Sequence, residues 1–164
     1  MIFKDDRFKY VVYSKKHIKI ANKRLSALGN VTGKEILDIG TGVGYLPYMA
    51  NKKGAFASAL DMEIPLYKIC TNDLNVPVIY HEIMPKIPLP FEENSFDIIT
   101  SYQACFHKKY AWDDSDWIWF ITNILSLLRE KGVFVIQINK PGNLQIAAKK
   151  FKHKVSGTTW TFPK

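Results

Sequence analysis

Asp38, Gly40, Gly42 and Gly44 stand at alternate positions, the first within and the glycines directly after the apolar run of Ile36, Leu37 and Ile39. This spacing suits the binding of a nucleotide-like ligand. Glycine lacks a Cβ, so a turn built on three of them bends sharply and brings backbone N–H groups close to a ligand where any side chain would collide. A second acidic group, Asp61, closes the apolar run Ala55 to Leu60, 21 positions beyond Gly40. A carboxylate placed there can accept hydrogen bonds from both hydroxyls of a ribose. His107 is the side chain best matched to moving a proton near neutrality, because a free imidazole titrates near ~6.5. Its neighbours Lys108 and Lys109 make a surface histidine an equally good reading.

Holding these groups in place requires a strand, a turn and a helix N-terminus. Ile36, Leu37 and Ile39 read as a buried strand, and Tyr45 to Lys52 can start the helix whose amides face the ligand. Upstream, Ile18, Ala21, Leu25 and Leu28 recur at helical spacing, with Gly29-Asn30 as the stop. Residues 1–16 mix basic groups with Phe3, Phe8, Tyr10 and Tyr13 and suit a flap over the ligand. Downstream, Pro65 to Leu74 reads as a short helix and Val76 to Ile83 as a third strand with Pro77 near its start. Phe96 to Thr100 reads as a fourth strand and Val133 to Ile138 as a fifth. Trp112 to Trp117 looks turn-rich, and Ile118, Ile121, Leu125 and Leu128 form a core-facing helical stripe. Trp112, Trp117, Trp119 and Phe120 fit core packing, with an apolar acceptor pocket as the alternative. Asn143 to Val155 suits a basic helix, and Thr158 to Phe162 a last short strand.

The glycine pattern is not the dinucleotide form G-x-G-x-x-G, whose third glycine would fall on Tyr45. As D-x-G-x-G-x-G it resembles motif I of the class I S-adenosylmethionine-dependent methyltransferases. Leu89-Pro-Phe-Glu-Glu-Asn-Ser-Phe-Asp97 resembles the phrase that leads into the fourth strand of many small-molecule members, and Leu125 to Asn139 their helix end, turn and fifth strand. The resemblance spans Glu35 to Asn139. It implies an α/β fold of the Rossmann-like kind, with a doubly wound, mostly parallel sheet in three α/β/α layers. It also implies that Asp38 organises the methionine end of the cofactor and that Gly40, Thr41, Gly42 and Gly44 form the turn beside it. Asp61 would take the ribose, Met62 the adenine face and Glu82 the adenine amino group, although Pro85, Pro88 and Pro90 loosen the register of Glu82. Ser101, opening the segment Ser101 to His107, would face the donor methyl group and the acceptor.

The 164 residues suit one domain. It divides into an N-terminal flap and helix over 1–34, a cofactor-binding core over 35–139 and a basic segment over 140–164. This is short for a seven-stranded sheet, so either the last strands are abbreviated or the chain ends build the substrate site. No apolar run reaches the ~18 residues of a membrane span, and MIFKDDRFKY lacks a signal-peptide core, which points to a cytoplasmic protein. Cys70 and Cys105 lack metal-ligand spacing and read as reduced thiols; no metal is expected. Nine Lys/Arg against two Asp in residues 1–34, and six Lys with no acid in residues 140–164, make both ends basic around an acidic middle. Such ends suit an anionic partner or a solvated surface. Only three of the 23 basic residues are Arg, which weighs against bidentate phosphate or base recognition.

Methyl transfer from a sulfonium is an in-line displacement that needs positioning first and a base only where the nucleophile carries a proton. The N-P-P-Y type motif for planar amino groups is absent near Ser101 to Ala104, and the Pro-Cys pair of cytosine-C5 enzymes is absent at Ala104-Cys105. These absences favour O- or N-methylation of a small molecule or glycan. A nucleic-acid (RNA) methyltransferase and a non-catalytic S-adenosylmethionine-binding module remain as alternatives.

Overall fold

In the computed structural model, which describes residues 6–164, the chain runs α1 (Phe8–Val12), α2 (Ser14–Ala27), β1 (Glu35–Ile39), α3 (Tyr45–Lys52), β2 (Phe56–Asp61), α4 (Pro65–Asp73), β3 (Val78–Tyr80), β4 (Phe96–Tyr102), α5 (Phe106–Lys109), α6 (Asp114–Leu127), β5 (Leu128–Gln137), α7 (Asn143–Ala148), β6 (Lys154–Ser156) and β7 (Thr159–Pro163). The strands form one sheet in the order β3-β2-β1-β4-β5-β7-β6. β3 through β5 pair in parallel, and β7 runs antiparallel to both β5 and β6. This is the doubly wound, mostly parallel arrangement expected.

A parallel sheet covered on both faces needs strands that are apolar on both sides. In β1, every residue from Ile36 to Ile39 is buried. Ile36, with Ala57 and Ile98, packs under Ala21 and Leu25 of α2 and Leu46 and Ala50 of α3. Leu37, Ile99, Phe134 and Phe162 pack on the opposite side against Trp117, Phe120 and Ile121 of α6 and Leu144 and Ala147 of α7. The S-F-D phrase supports the far end of the sheet. There Asp97 Oδ2 accepts the Glu35 N–H at 2.8 Å and Arg129 Nη1 at 3.3 Å, tying β4 to the start of β1.

Five local expectations are corrected. The third strand is three residues long rather than Val76 to Ile83, because Pro77 has no N–H to give and only Val78–Tyr80 pairs with β2. The segment before α6 is a helix start: Asp113 and Asp116 form a capping box, with Asp116 N–H to Asp113 Oδ1 at 2.8 Å and the reverse bond at 3.2 Å. The buried stripe of α6 is accordingly Trp117, Phe120, Ile121, Ile124 and Leu127, while Ile118 and Leu125 are half-buried. The basic C-terminal helix stops at Ala148, and Lys154–Ser156 is instead a strand, paired with β7 around the two-residue loop Gly157-Thr158. Gly157 at φ +58° supplies the left-handed residue such a hairpin needs. All seven strands are therefore present, and shortening shows as a three-residue β6. The fourth strand also runs past Thr100 through Ser101 and Tyr102.

Candidate functional site

The glycine turn sits at the carboxyl end of β1, where its Gly40 N–H donates to the Leu60 carbonyl of β2 at 2.8 Å. Gly40, Gly42 and Gly44 all hold positive φ, at +71°, +60° and +83°. Two of them are also sterically closed to a side chain. A Cβ at Gly40 would stand 2.4 Å from the Ala104 Cβ, and one at Gly44 would stand 2.9 Å from Thr71 Cγ2. Gly40 and Gly42 lie on the wall of a cavity of about 1190 Å³ that also takes in Asp38, Thr41, Asp61, Met62, His81 and Glu82.

Asp38 is buried and accepts the Thr100 hydroxyl at 2.7 Å. Burial pushes its carboxyl up from 3.8 to about 6, against the pull of the Thr100 and Thr41 hydroxyls and of Arg24. Asp61 closes β2 and accepts backbone N–H groups on both oxygens, from Gly42 at 2.7 Å and from Met62 at 2.8 Å. Its pKa is also raised, chiefly by burial. Each Asp61 oxygen keeps a second lone pair for a ligand. Glu82 Oε1 accepts Lys109 and, at 2.8 Å, the Tyr110 hydroxyl. These contacts hold the carboxyl below its ordinary range.

The structure thus gathers Asp38, Gly40, Thr41, Gly42, Asp61, Met62 and Glu82 around one space. Gly44 stands just behind it as the N-cap of α3. Two expected residues fall elsewhere. Ser101 is buried within β4 and does not line the cavity, because β4 continues through it and alternation turns its side chain from the Thr100 and Tyr102 face. His107 does not line it either. Its ring lies 5.3 Å from Trp117 and 5.9 Å from Phe106, and burial with Lys108 lowers its pKa. Trp112, Trp117 and Phe120 are core, mutually packed at 5.0–6.0 Å. Of the flap residues, Tyr10 lines the cavity and its carbonyl accepts the Tyr45 hydroxyl at 3.1 Å; Phe8 and Tyr13 are exposed, and Phe3 lies outside the described residues.

Sequence reasoning passed over four contributors. His81, read as a strand-end residue, lines the cavity with a buried Nε2 that has no partner among the described residues. Arg24 lines it from α2, half-buried, with its guanidinium 4.3 Å from the Tyr102 ring centroid and Nη2 donating to Gln137 Oε1 at 2.9 Å. Nothing in the local sequence sets Arg24 apart from the other basic residues of α2. Tyr102 and Gln137 sit at strand ends that local patterning does not single out. Among the described residues no group of three His, Cys, Asp or Glu side chains is placed to hold a metal, and no helix is long and apolar enough to cross a membrane.

A family model described as a methyltransferase domain matches residues 36–132. No curated protein sequence matches the chain. Among solved structures, a protein from Pyrococcus horikoshii is similar with a TM-score of 0.68 and 14% identity over 92% of this chain and 91% of its own. A SAM-dependent methyltransferase from Aquifex aeolicus gives 0.61 and 15% over 98% of both chains. Phosphoethanolamine N-methyltransferase 1 of Haemonchus contortus, solved with phosphoethanolamine and S-adenosylhomocysteine, gives 0.58 and 20% over 73% of this chain and 25% of that one. The chain spans about a quarter of that enzyme. At these identities the likeness is one of fold.

Proposed function

The chain belongs to the class I S-adenosylmethionine-dependent methyltransferase family, and from that premise we propose that it methylates an oxygen or nitrogen of a small molecule or glycan held in the same cavity as the cofactor. The observation that carries the cofactor half of this reading is the Asp61 carboxylate. It stands on the cavity wall at the end of β2 and is bonded to the bare glycine turn through Gly42.

The residues present fit S-adenosylmethionine. A Cβ at Gly40 would crowd the cavity wall against Ala104, and the unpartnered His81 Nε2 suits a polar ligand on the β3 side. Bound there, the cofactor supplies an electrophilic methyl group on a sulfonium. Asp61 would accept the ribose hydroxyls, and Asp38 would face the methionine end. The backbone of Gly40, Thr41 and Gly42, with Gly44 capping the helix behind, would line the space between. Met62, 46% exposed beside Asp61, gives an apolar contact for the adenine, and Glu82 has Oε2 free of the Lys109 and Tyr110 contacts made by Oε1. Tyr10 from α1 would close over the ligand, its carbonyl fixed by Tyr45.

What remains for the protein is alignment. Carboxyl-end residues of β4 and β5 and the face of α2 bound the space beyond the turn, where an acceptor would be held in line with the donor. His107 is set back from this space, so the placement supports alignment over a dedicated histidine base. A labelled-methyl transfer screen against fractionated cell extract tests the reading; transfer to a low-mass acceptor supports it, and transfer to RNA would put the nucleic-acid alternative in its place.

A further inference from the structure

The first helix wears its apolar side outward. A surface helix is ordinarily held to its core by burying that side, yet α1 contributes no buried residue, and Val12 and Tyr13 are 70% and 60% exposed with Val11 exposed beside them. Tyr10 is what attaches it. Its carbonyl accepts the Tyr45 hydroxyl at 3.1 Å, its ring meets His17 edge-on at 5.0 Å, and it lines the cavity. Val12 stands two residues further on, which at ~100° per residue turns it to roughly the opposite side of the helix. One side of α1 thus serves the cavity and the other faces solvent.

Lysines continue along α2. Lys15, Lys19 and Lys23 recur every fourth residue and Lys16 adjoins them, so the four fall within an arc of ~100°, on the other side of the helix from the core residues Ala21 and Leu25. These lysines and Lys9 of α1 are exposed, and none forms an ion pair among the described residues. From Arg7 to Lys34 the sequence holds no Asp or Glu. Exposed aliphatic side chains beside uncompensated lysines suit an element that lies on an anionic bilayer, with the lysines among the headgroups and the apolar groups at the acyl boundary. Two other occupants fit less well. A second copy of the chain would set the same lysines against one another. RNA favours Arg forks and aromatic platforms for its bases, whereas the most exposed of these side chains is the aliphatic Val12. Lysine is a point charge on a flexible stem, which suits a fluid layer of headgroups without fixed geometry.

We infer that α1, together with the lysine stripe of α2, docks the protein on an anionic phospholipid bilayer. Docking of this kind does not depend on which ligand the cavity holds. It brings Tyr10 and the cavity that it lines to the bilayer surface, and it gives the basic N-terminal end a local purpose.

Flotation of the full chain with two kinds of vesicle tests it, one of phosphatidylcholine alone and one with about a third phosphatidylglycerol. The protein is expected to float with the anionic vesicles and not with the neutral ones, and raised salt should release it. Val12→Glu should weaken vesicle binding ~10-fold or more, and Lys15→Gln with Lys19→Gln should do so by a similar factor. Val12→Leu should bind at least as well as the parent. Val155→Glu, on the exposed strand β6, should change binding less than ~3-fold. No binding to anionic vesicles, equal binding to both kinds, or an equal loss in Val155→Glu overturns the proposal. Two further outcomes also overturn it. A dimer that Val12→Glu dissociates, without vesicle binding, gives the surface to a second copy; binding of a short RNA that Val12→Glu abolishes, without vesicle binding, gives it to nucleic acid. A circular-dichroism melt of each variant separates lost docking from lost folding.

Discussion

The Thr100 hydroxyl donates to Asp38 Oδ1 at 2.7 Å, joining two buried side chains that are register partners on β1 and β4. The bond fixes the carboxylate beside the turn, yet burial still raises its pKa to about 6. The native state therefore holds this proton more tightly than the unfolded chain does. The stability from that proton is fully present below the unfolded value of 3.8 and is lost as pH rises through about 6. Asp38→Asn should flatten the fall in denaturant midpoint between those values and make the protein more stable than the parent above neutrality. The same substitution should weaken cofactor binding roughly 10-fold or more, since it removes the charge proposed to face the methionine end. Paired denaturation and calorimetry across pH check both directions.

Gly40 and Gly44 should be intolerant of alanine for separable reasons. Positive φ at each costs roughly 1–3 kcal/mol for a residue with a Cβ. The clash is an added cost, with the Ala104 Cβ for Gly40 and with Thr71 Cγ2 for Gly44. Thr71→Ser removes Cγ2, so it should restore part of the denaturant midpoint lost in Gly44→Ala and none of that lost in Gly40→Ala. Urea titration of the two double variants reads the difference.

Core and site roles separate in the aromatic cluster. Trp117 is 1% exposed in the contact of α6 with the sheet, so Trp117→Ala should cost roughly 3–5 kcal/mol. His107, packed against that ring and off the cavity, should tolerate Gln with methyl-transfer kcat/KM changed less than ~3-fold and no altered limb in the pH profile. A loss of ~100-fold with a shifted pH profile would restore His107 as a base.

The parts legible in the sequence are those where one short segment makes its own geometry. The run from Ile36 to Gly44 writes strand, turn and helix start locally, and Asp61 follows from the end of the next strand. Arg24 escaped because its meaning depends on Tyr102 and Gln137, which lie 78 and 113 positions away. The stripe of α6 was rotated in the sequence reading because Trp117 and Phe120 were not counted in its apolar spacing, although the Asp113–Asp116 box fixes the helix start. The hairpin over Gly157-Thr158 was hidden by lysines that suit a helix, while its strand pairing with β7 is non-local. Chain position alone points Ser101 and His107 at the site; it carries neither the strand alternation that keeps Ser101 off the cavity lining nor the ring packing that sets His107 back from it.

The central claim is that Asp61 and the glycine turn hold S-adenosylmethionine. Calorimetry of the intact protein with S-adenosylhomocysteine, beside Asp61→Ala, tests it most directly. Loss of hydrogen bonds to both ribose hydroxyls, each worth ~1.5–3 kcal/mol to a charged acceptor, predicts binding by the parent that is weakened ~100-fold or more in the variant. Equal affinity in the two proteins, or no binding by the folded parent, would contradict the account.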